Sequence, residues 1–176
     1  MATSPASTAQ ISLEDYLRTS YQPDRDYLDG EIEERYVGEY DHTIVQRAVL
    51  LWFYTHEKQW GIRSLQEQRT LLNPTTIRIP DVSVFSREVP VEQVFTQPQL
   101  IAVEVLSPED RATRIQERID DYIAFGIANI WVINPKSRIG WDCSDGSWIR
   151  QERFEVPGTP MYLSLAELFQ KIDDEA

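Results

Sequence analysis

The chain has 176 residues, with 17 Lys and Arg against 29 Asp and Glu for a net charge of −12, and 41% of its residues are hydrophobic. Those figures describe one domain with a real core and exclude a disordered chain or a protein that grips duplex nucleic acid by bulk attraction. No apolar run approaches the roughly 20 residues of a membrane span, and the opening MATSPASTAQ has no signal core. A cytoplasmic protein without membrane contact is therefore expected. The single cysteine, Cys143, excludes an internal disulfide and reads as structural, and with only His42 and His56 there is no Cys/His zinc set.

Residues 1–10 are small and polar and read as a disordered lead to a single domain over residues 11–176. Ser12-Leu13-Glu14-Asp15-Tyr16-Leu17 predicts a short helix with Ser12 as cap and Asp15 in the capping-box position. Asp29-Gly30, between Tyr27-Leu28 and Glu31-Ile32, predicts a hairpin, because both turn positions tolerate positive φ. From Tyr40 to Trp60, Ile44, Val45, Ala48, Val49, Leu51 and Trp52 recur at helical spacing and predict the longest helix, buried along that side. Ile62 to Leu72 has weak strand character, and strands are expected over Ile79–Phe85 and Leu100–Leu106. Ser107-Pro108-Glu109-Asp110 then carries the cap, first-turn proline and acids of a helix start, with the helix running to Phe125 before Gly126. Ile130 to Ile133 completes a βαβ unit, so it and Leu100–Leu106 should be parallel neighbours. Asp145-Gly146, between Trp141 and Trp148, marks a second hairpin, and Ser164 to Ile172 a last amphipathic helix. The pattern is α/β or α+β, with a mixed sheet.

Two acids stand out. Glu104 lies in Leu100-Ile101-Ala102-Val103-Glu104-Val105-Leu106, which otherwise reads as a strand buried on both faces, so its carboxylate must be protonated, paired with a buried arginine or bound to a cation. Asp81 opens the apolar run Val82-Ser83-Val84-Phe85, although Pro-Asp alone is a common turn dipeptide. Two carboxylates from adjacent strands, completed by water and phosphate oxygens, suit Mg²⁺ or Mn²⁺.

Four stretches together resemble the restriction-endonuclease-like nucleases of the PD-(D/E)xK type, and within them the small bacterial proteins described as "putative restriction endonucleases". They are Tyr27-Leu28-Asp29-Gly30-Glu31, Asp41-His42, Arg78-Ile79-Pro80-Asp81-Val82, and Val103-Glu104-Val105-Leu106-Ser107-Pro108 continuing to Tyr122, Gly126 and Ile130–Pro135. The resemblance covers roughly Ser12 to Ile172. It implies a central mixed sheet flanked by helices, Asp81 and Glu104 as ligands of Mg²⁺ or Mn²⁺, and hydrolysis of DNA phosphodiester bonds. In such small members the signature lysine is displaced onto the next helix, four residues before a tyrosine; here Arg118 stands four before Tyr122.

That exchange matters because arginine stays charged and cannot act as a base. Arg118 either holds a phosphate oxygen or neutralises Asp81 and Glu104 with no metal, which would leave an inactive, dimeric binding or scaffold protein. Arg111 and Arg114, on the same side of the helix, read as a solvated face. His42, beside the apolar side of its helix, is a structural residue or, as the resemblance implies, a neighbour of the metal cleft that helps position water. Glu31 is a candidate outer metal ligand and Glu67 a weaker one, each with a plain surface acid as the alternative. Trp52, Phe53 and Tyr54 cover more of their helix than one core contact requires, and point to a homodimer surface.

Overall fold

The computed structural model describes residues 10–36 and 38–176; most of the expected disordered lead, residues 1–9, lies outside them. Helix α1 (Leu13–Arg18) is capped as expected, with Ser12 Oγ accepting the Asp15 N–H at 3.1 Å. Strands β1 (Asp26–Leu28) and β2 (Glu31–Glu33) form the Asp-Gly hairpin. Asp29 at φ 48° and Gly30 at φ 89° take the two left-handed positions of its turn.

Helix α2 (Tyr40–Trp60) follows, then β3 (Ile62–Gln66), β4 (Thr70–Asn73), β5 (Thr76–Arg78), β6 (Val82–Ser86) and β7 (Ile101–Val105). After them come α3 (Ala112–Phe125), β8 (Asn129–Asn134), β9 (Ile139–Asp142), β10 (Ile149–Gln151), β11 (Arg153–Glu155), β12 (Tyr162–Ser164) and α4 (Leu165–Asp174). Six strands form the central sheet in the order β10-β9-β8-β7-β6-β3, with β7 and β8 parallel and every other pair antiparallel. Four more, β2-β1-β5-β4, make an antiparallel sheet, and β11 pairs with β12.

The twofold alternation of strand side chains sorts the core. Val103 and Val105 of β7 and Trp131 and Ile133 of β8 face α2 and α4, where they meet Val45, Val49, Phe53 and Leu168. Ala102, Ile130 and Val132 face the other way, against Ile115, Ile119 and Tyr122 of α3. Cys143 is buried on that side, its thiol pushed up to about 12 chiefly by burial, in keeping with a structural role. A third cluster, Tyr16, Tyr27, Ile77 and Ile79, packs α1 on the four-stranded sheet.

Four local expectations are corrected. The run Ile79–Phe85 is strand only from Val82, where β6 begins in the central sheet: β5 ends at Arg78 in the smaller one, and the chain changes sheets at Ile79-Pro80-Asp81, where proline has no N–H to give a ladder. Helix α3 starts at Ala112, not Pro108. Asp110 instead closes a separate turn, its Oδ2 accepting the Ser107 N–H at 2.6 Å, so the side chain competes with the helix for the backbone. Leu51 is 46% exposed rather than buried. The aromatic excess of α2 is spent inside the molecule: Phe53 stacks on Trp131, and Trp52 is buried with its indole N–H donating to Tyr162 O at 2.6 Å. Only Tyr54 of the three, at 63% exposed, faces outward, so Trp52 and Phe53 serve the core and not a surface for a second copy.

Candidate active site

Strand register builds the site. Val82 pairs with Val103, so continuing the antiparallel ladder by one residue sets Asp81 opposite Glu104 on the face that α3 covers. Both acids are buried, at 3% and 4% exposed. Each is held by a guanidinium. Asp81 Oδ1 accepts from Arg35 at 2.7 Å, while Oδ2 accepts the Val105 N–H at 2.8 Å and lies 3.3 Å from His42 Nε2. Glu104 Oε1 accepts from Arg118 Nε at 3.2 Å and Nη2 at 3.0 Å, and from the Tyr122 hydroxyl. Its Oε2 receives no hydrogen bond among the described residues.

Arg118, which the sequence left either to hold a phosphate or to neutralise the acids, is largely committed to the protein. Beyond its two bonds to Glu104 it donates from Nη1 to Asp26 Oδ2 at 2.7 Å and from Nη2 to the Ile79 carbonyl at 2.9 Å. Four of its five N–H groups therefore end on the protein. Asp26 in turn accepts Arg78 at 3.0 Å and the Ile79 N–H at 3.1 Å, and Arg78 reaches Glu33 and Asp121. Arg114, read from the sequence as solvated, donates to Glu33 Oε1 at 2.6 Å and lines the cleft, whereas Arg111 is exposed.

The electrostatics separate the two acids. Burial raises the cost of the Asp81 anion, but the hydrogen bond from His42 and the charge of Arg35 overcome it and bring the carboxyl down to about 2. For Glu104 burial prevails over the attraction of Arg118, and the charge of Asp81 adds to it, so the carboxyl rises to about 7. Burial disfavours the His42 cation, yet its bond to Asp81 holds the imidazole above its usual range. The other ring nitrogen, Nδ1, is buried without a partner among the described residues. A Cβ on Gly38 would stand 2.8 Å from it, so glycine is what lets the chain pass over the ring.

Two cavities meet here. One of about 40 Å³, room for an ion and a few waters, is lined by Arg35, His42, Asp81, Glu104, Arg114 and Arg118. The other, of about 360 Å³, shares Arg35, Tyr36, His42 and Asp81 with it and extends along Gln46, Arg47, Gln66 and Glu67. Glu67 thus borders the larger space, exposed, and is tied to Asp81 through its own N–H and to Gln46 through its side chain. Glu31 lies on neither, being exposed in β2 opposite Leu28, and is corrected as an outer ligand; Glu33, two residues on, lines the smaller cavity instead.

No group of three or more His, Cys, Asp or Glu converges on one point among the described residues. The donor set still fits a hard divalent ion of the kind that takes one or two carboxylates and completes its shell with water and phosphate oxygens. Glu104 Oε2 is free of donors and Asp81 Oδ1 has one.

Arg35, Asp26 and Tyr122 were missed as site residues. Arg35 follows two glutamates and precedes a tyrosine outside any element, and no pattern marks it. The one available signal is compositional: 14 arginines against three lysines suits a molecule that buries its cations in forked pairs with carboxylates.

A model of the Uma2 family, described as "Putative restriction endonuclease", matches residues 13–164. No curated protein matches the chain. Among solved structures, a "putative nuclease belonging to DUF820" from Anabaena variabilis superposes with a TM-score of 0.75 at 22% identity, over 91% of this chain and 98% of that one. A DrdV–DNA complex seen by electron microscopy gives a TM-score of 0.43 at 11% identity over 73% of this chain and 11% of that one, too loose a likeness to carry an argument. The architecture shared with the Anabaena protein is a nuclease fold, with a mixed sheet between helices.

Proposed function

The chain belongs to the Uma2 family, and from that premise we propose that it is a divalent-metal-dependent nuclease that hydrolyses DNA phosphodiester bonds. One observation carries the reading: Asp81, just ahead of β6, and Glu104, in the neighbouring β7, both line an ion-sized cavity that shares a wall with a larger one. They are the residues that would hold Mg²⁺ or Mn²⁺. When bound, such an ion supplies Lewis acidity at a phosphate oxygen and a lowered pKa for water.

The protein's own groups divide the remaining work. Asp81 is an anion at any ordinary pH, because Arg35, His42 and the Val105 N–H all favour its charged form. Arg118 and Tyr122 fix Glu104, a residue of the cavity wall, through Oε1 and leave Oε2 without a donor among the described residues. Arg118 is therefore a positioning residue rather than a holder of substrate phosphate. His42, bonded to Asp81 and lining both cavities, stands where it can orient a water.

Supercoiled plasmid incubated with the protein and Mg²⁺ or Mn²⁺ tests this. Nicking or linearisation is expected from the wild type and a loss of at least about a hundredfold from Asp81→Ala, on the scale of removing an electrostatic element of an active site. Equal cleavage by both proteins would assign the activity to a contaminant. A second reading, a non-catalytic binding protein, draws on the guanidinium that each carboxylate already carries. Folded protein that takes up no Mn²⁺ in calorimetry would favour it.

A further inference from the structure

The two guanidinium groups at the acids are not equivalent. Arg118 is anchored by Asp26 and the Ile79 carbonyl as well as by Glu104, so it has a place in the fold whatever happens at the site. Arg35 is bonded at the site by Asp81 Oδ1 alone among the described residues, with its charge also close enough to feel Glu104 and Asp26. It lies outside the strands and helices and lines both cavities. The single strong hold on this side chain is thus the same carboxylate that a divalent ion would use.

We propose that Arg35 is a tethered counter-cation, which occupies Asp81 while no ion is bound, is displaced when a divalent ion arrives, and then turns into the larger cavity to hold a substrate phosphate. This rests on the metal-dependent reading above. The physical reason is charge: a guanidinium and a dication beside one buried carboxylate repel each other across a few ångströms of low-dielectric interior. Once released, the planar fork of an arginine is the side chain best matched to a phosphate. Ion binding and phosphate binding then become coupled, each strengthening the other by the same factor. The cost is a weaker ion site in the free protein.

Calorimetry with Mn²⁺ on the wild type, Arg35→Gln and Arg35→Lys reads the first half, with thermal denaturation confirming that each is folded. Arg35→Gln is expected to bind Mn²⁺ about tenfold more tightly than the wild type, and Arg35→Lys, which keeps a competing cation, to stay near it. Fluorescence anisotropy of a labelled duplex with and without millimolar Ca²⁺ reads the second half. Ca²⁺ should strengthen duplex binding by about tenfold less in Arg35→Gln than in the wild type. Mn²⁺ binding that is equal or weaker in Arg35→Gln, or an undiminished Ca²⁺ effect, overturns the inference while the metal reading stands. No Mn²⁺ binding by any of the three folded proteins overturns both.

Discussion

A buried carboxyl that rises from about 4.5 to about 7 on folding makes Glu104 a source of pH dependence in the metal-free protein. Between those values the folded state keeps a proton that the unfolded chain has released. This contribution to stability is complete below about pH 4.5 and is lost as pH rises through 7, a fall of up to about 3 kcal/mol. His42, raised by Asp81, works in the same direction. Asp81, lowered to about 2, works in the opposite one, but its share is constant above about pH 4 and lost only on acidification through 2. The metal-free wild type should therefore melt at a lower temperature at about pH 8 than at about pH 5. Glu104→Gln, neutral throughout, should lose most of that difference in melts followed by circular dichroism. Arg118 gives a second expectation at this scale. Arg118→Met removes the guanidinium shared by Glu104 and Asp26 and should destabilise the fold by about 3 kcal/mol or more in urea denaturation, because it leaves buried carboxylates short of a partner.

At the scale of elements, what could be read in advance depended on whether the signal was local. The hairpin at Asp29-Gly30, the helix Tyr40–Trp60 and the parallel pairing of β7 with β8 follow from turn chemistry and periodicity within one segment, and they stand as expected. Glu104 stood out for the same reason, since an acid in an apolar strand is visible without knowing its neighbours, and Asp81, just ahead of β6, stood out as the acid that opens an apolar run. Their partners were legible only in part: Arg118 and His42 could be named in advance, whereas Arg35 and Tyr122 reach the acids, and Asp26 reaches Arg118, through contacts between separate parts of the chain that no spacing encodes. The turn at Ser107–Asp110 shows a local signal misleading in its own terms: each residue type suits a helix start, yet Asp110 spends its carboxylate on the Ser107 N–H. The short strands β11 and β12 had no periodicity to find. They matter for packing all the same. A Cβ on Gly140 of β9 would stand 2.6 Å from Phe154 Cζ in β11 and 2.9 Å from Leu165 Cδ1 in α4. Gly140→Ala should therefore cost roughly 1–3 kcal/mol by overpacking, measured as a shift of the urea midpoint at unchanged slope.

Across the whole molecule, the net charge of −12 and the placement of the cations decide how it can meet a polyanion. Of 14 arginines, all but Arg63, Arg111 and Arg150 are in ion pairs with carboxylates among the described residues. Few are left to neutralise phosphates, so release of counterions from DNA supplies little binding free energy. On the function proposed above, a divalent ion at Asp81 and Glu104 would supply the missing positive charge at the place where hydrolysis would need it. Duplex binding by the wild type should then be weak without a divalent ion at physiological salt. With millimolar Ca²⁺ it should fall with salt along a shallow log–log slope of about −2 to −3, the share of two or three phosphates. Anisotropy titrations across a salt series measure that slope directly. A slope of about −6 or steeper would require a basic face that a single copy of this chain does not present, and would mean that DNA is gripped by an assembly.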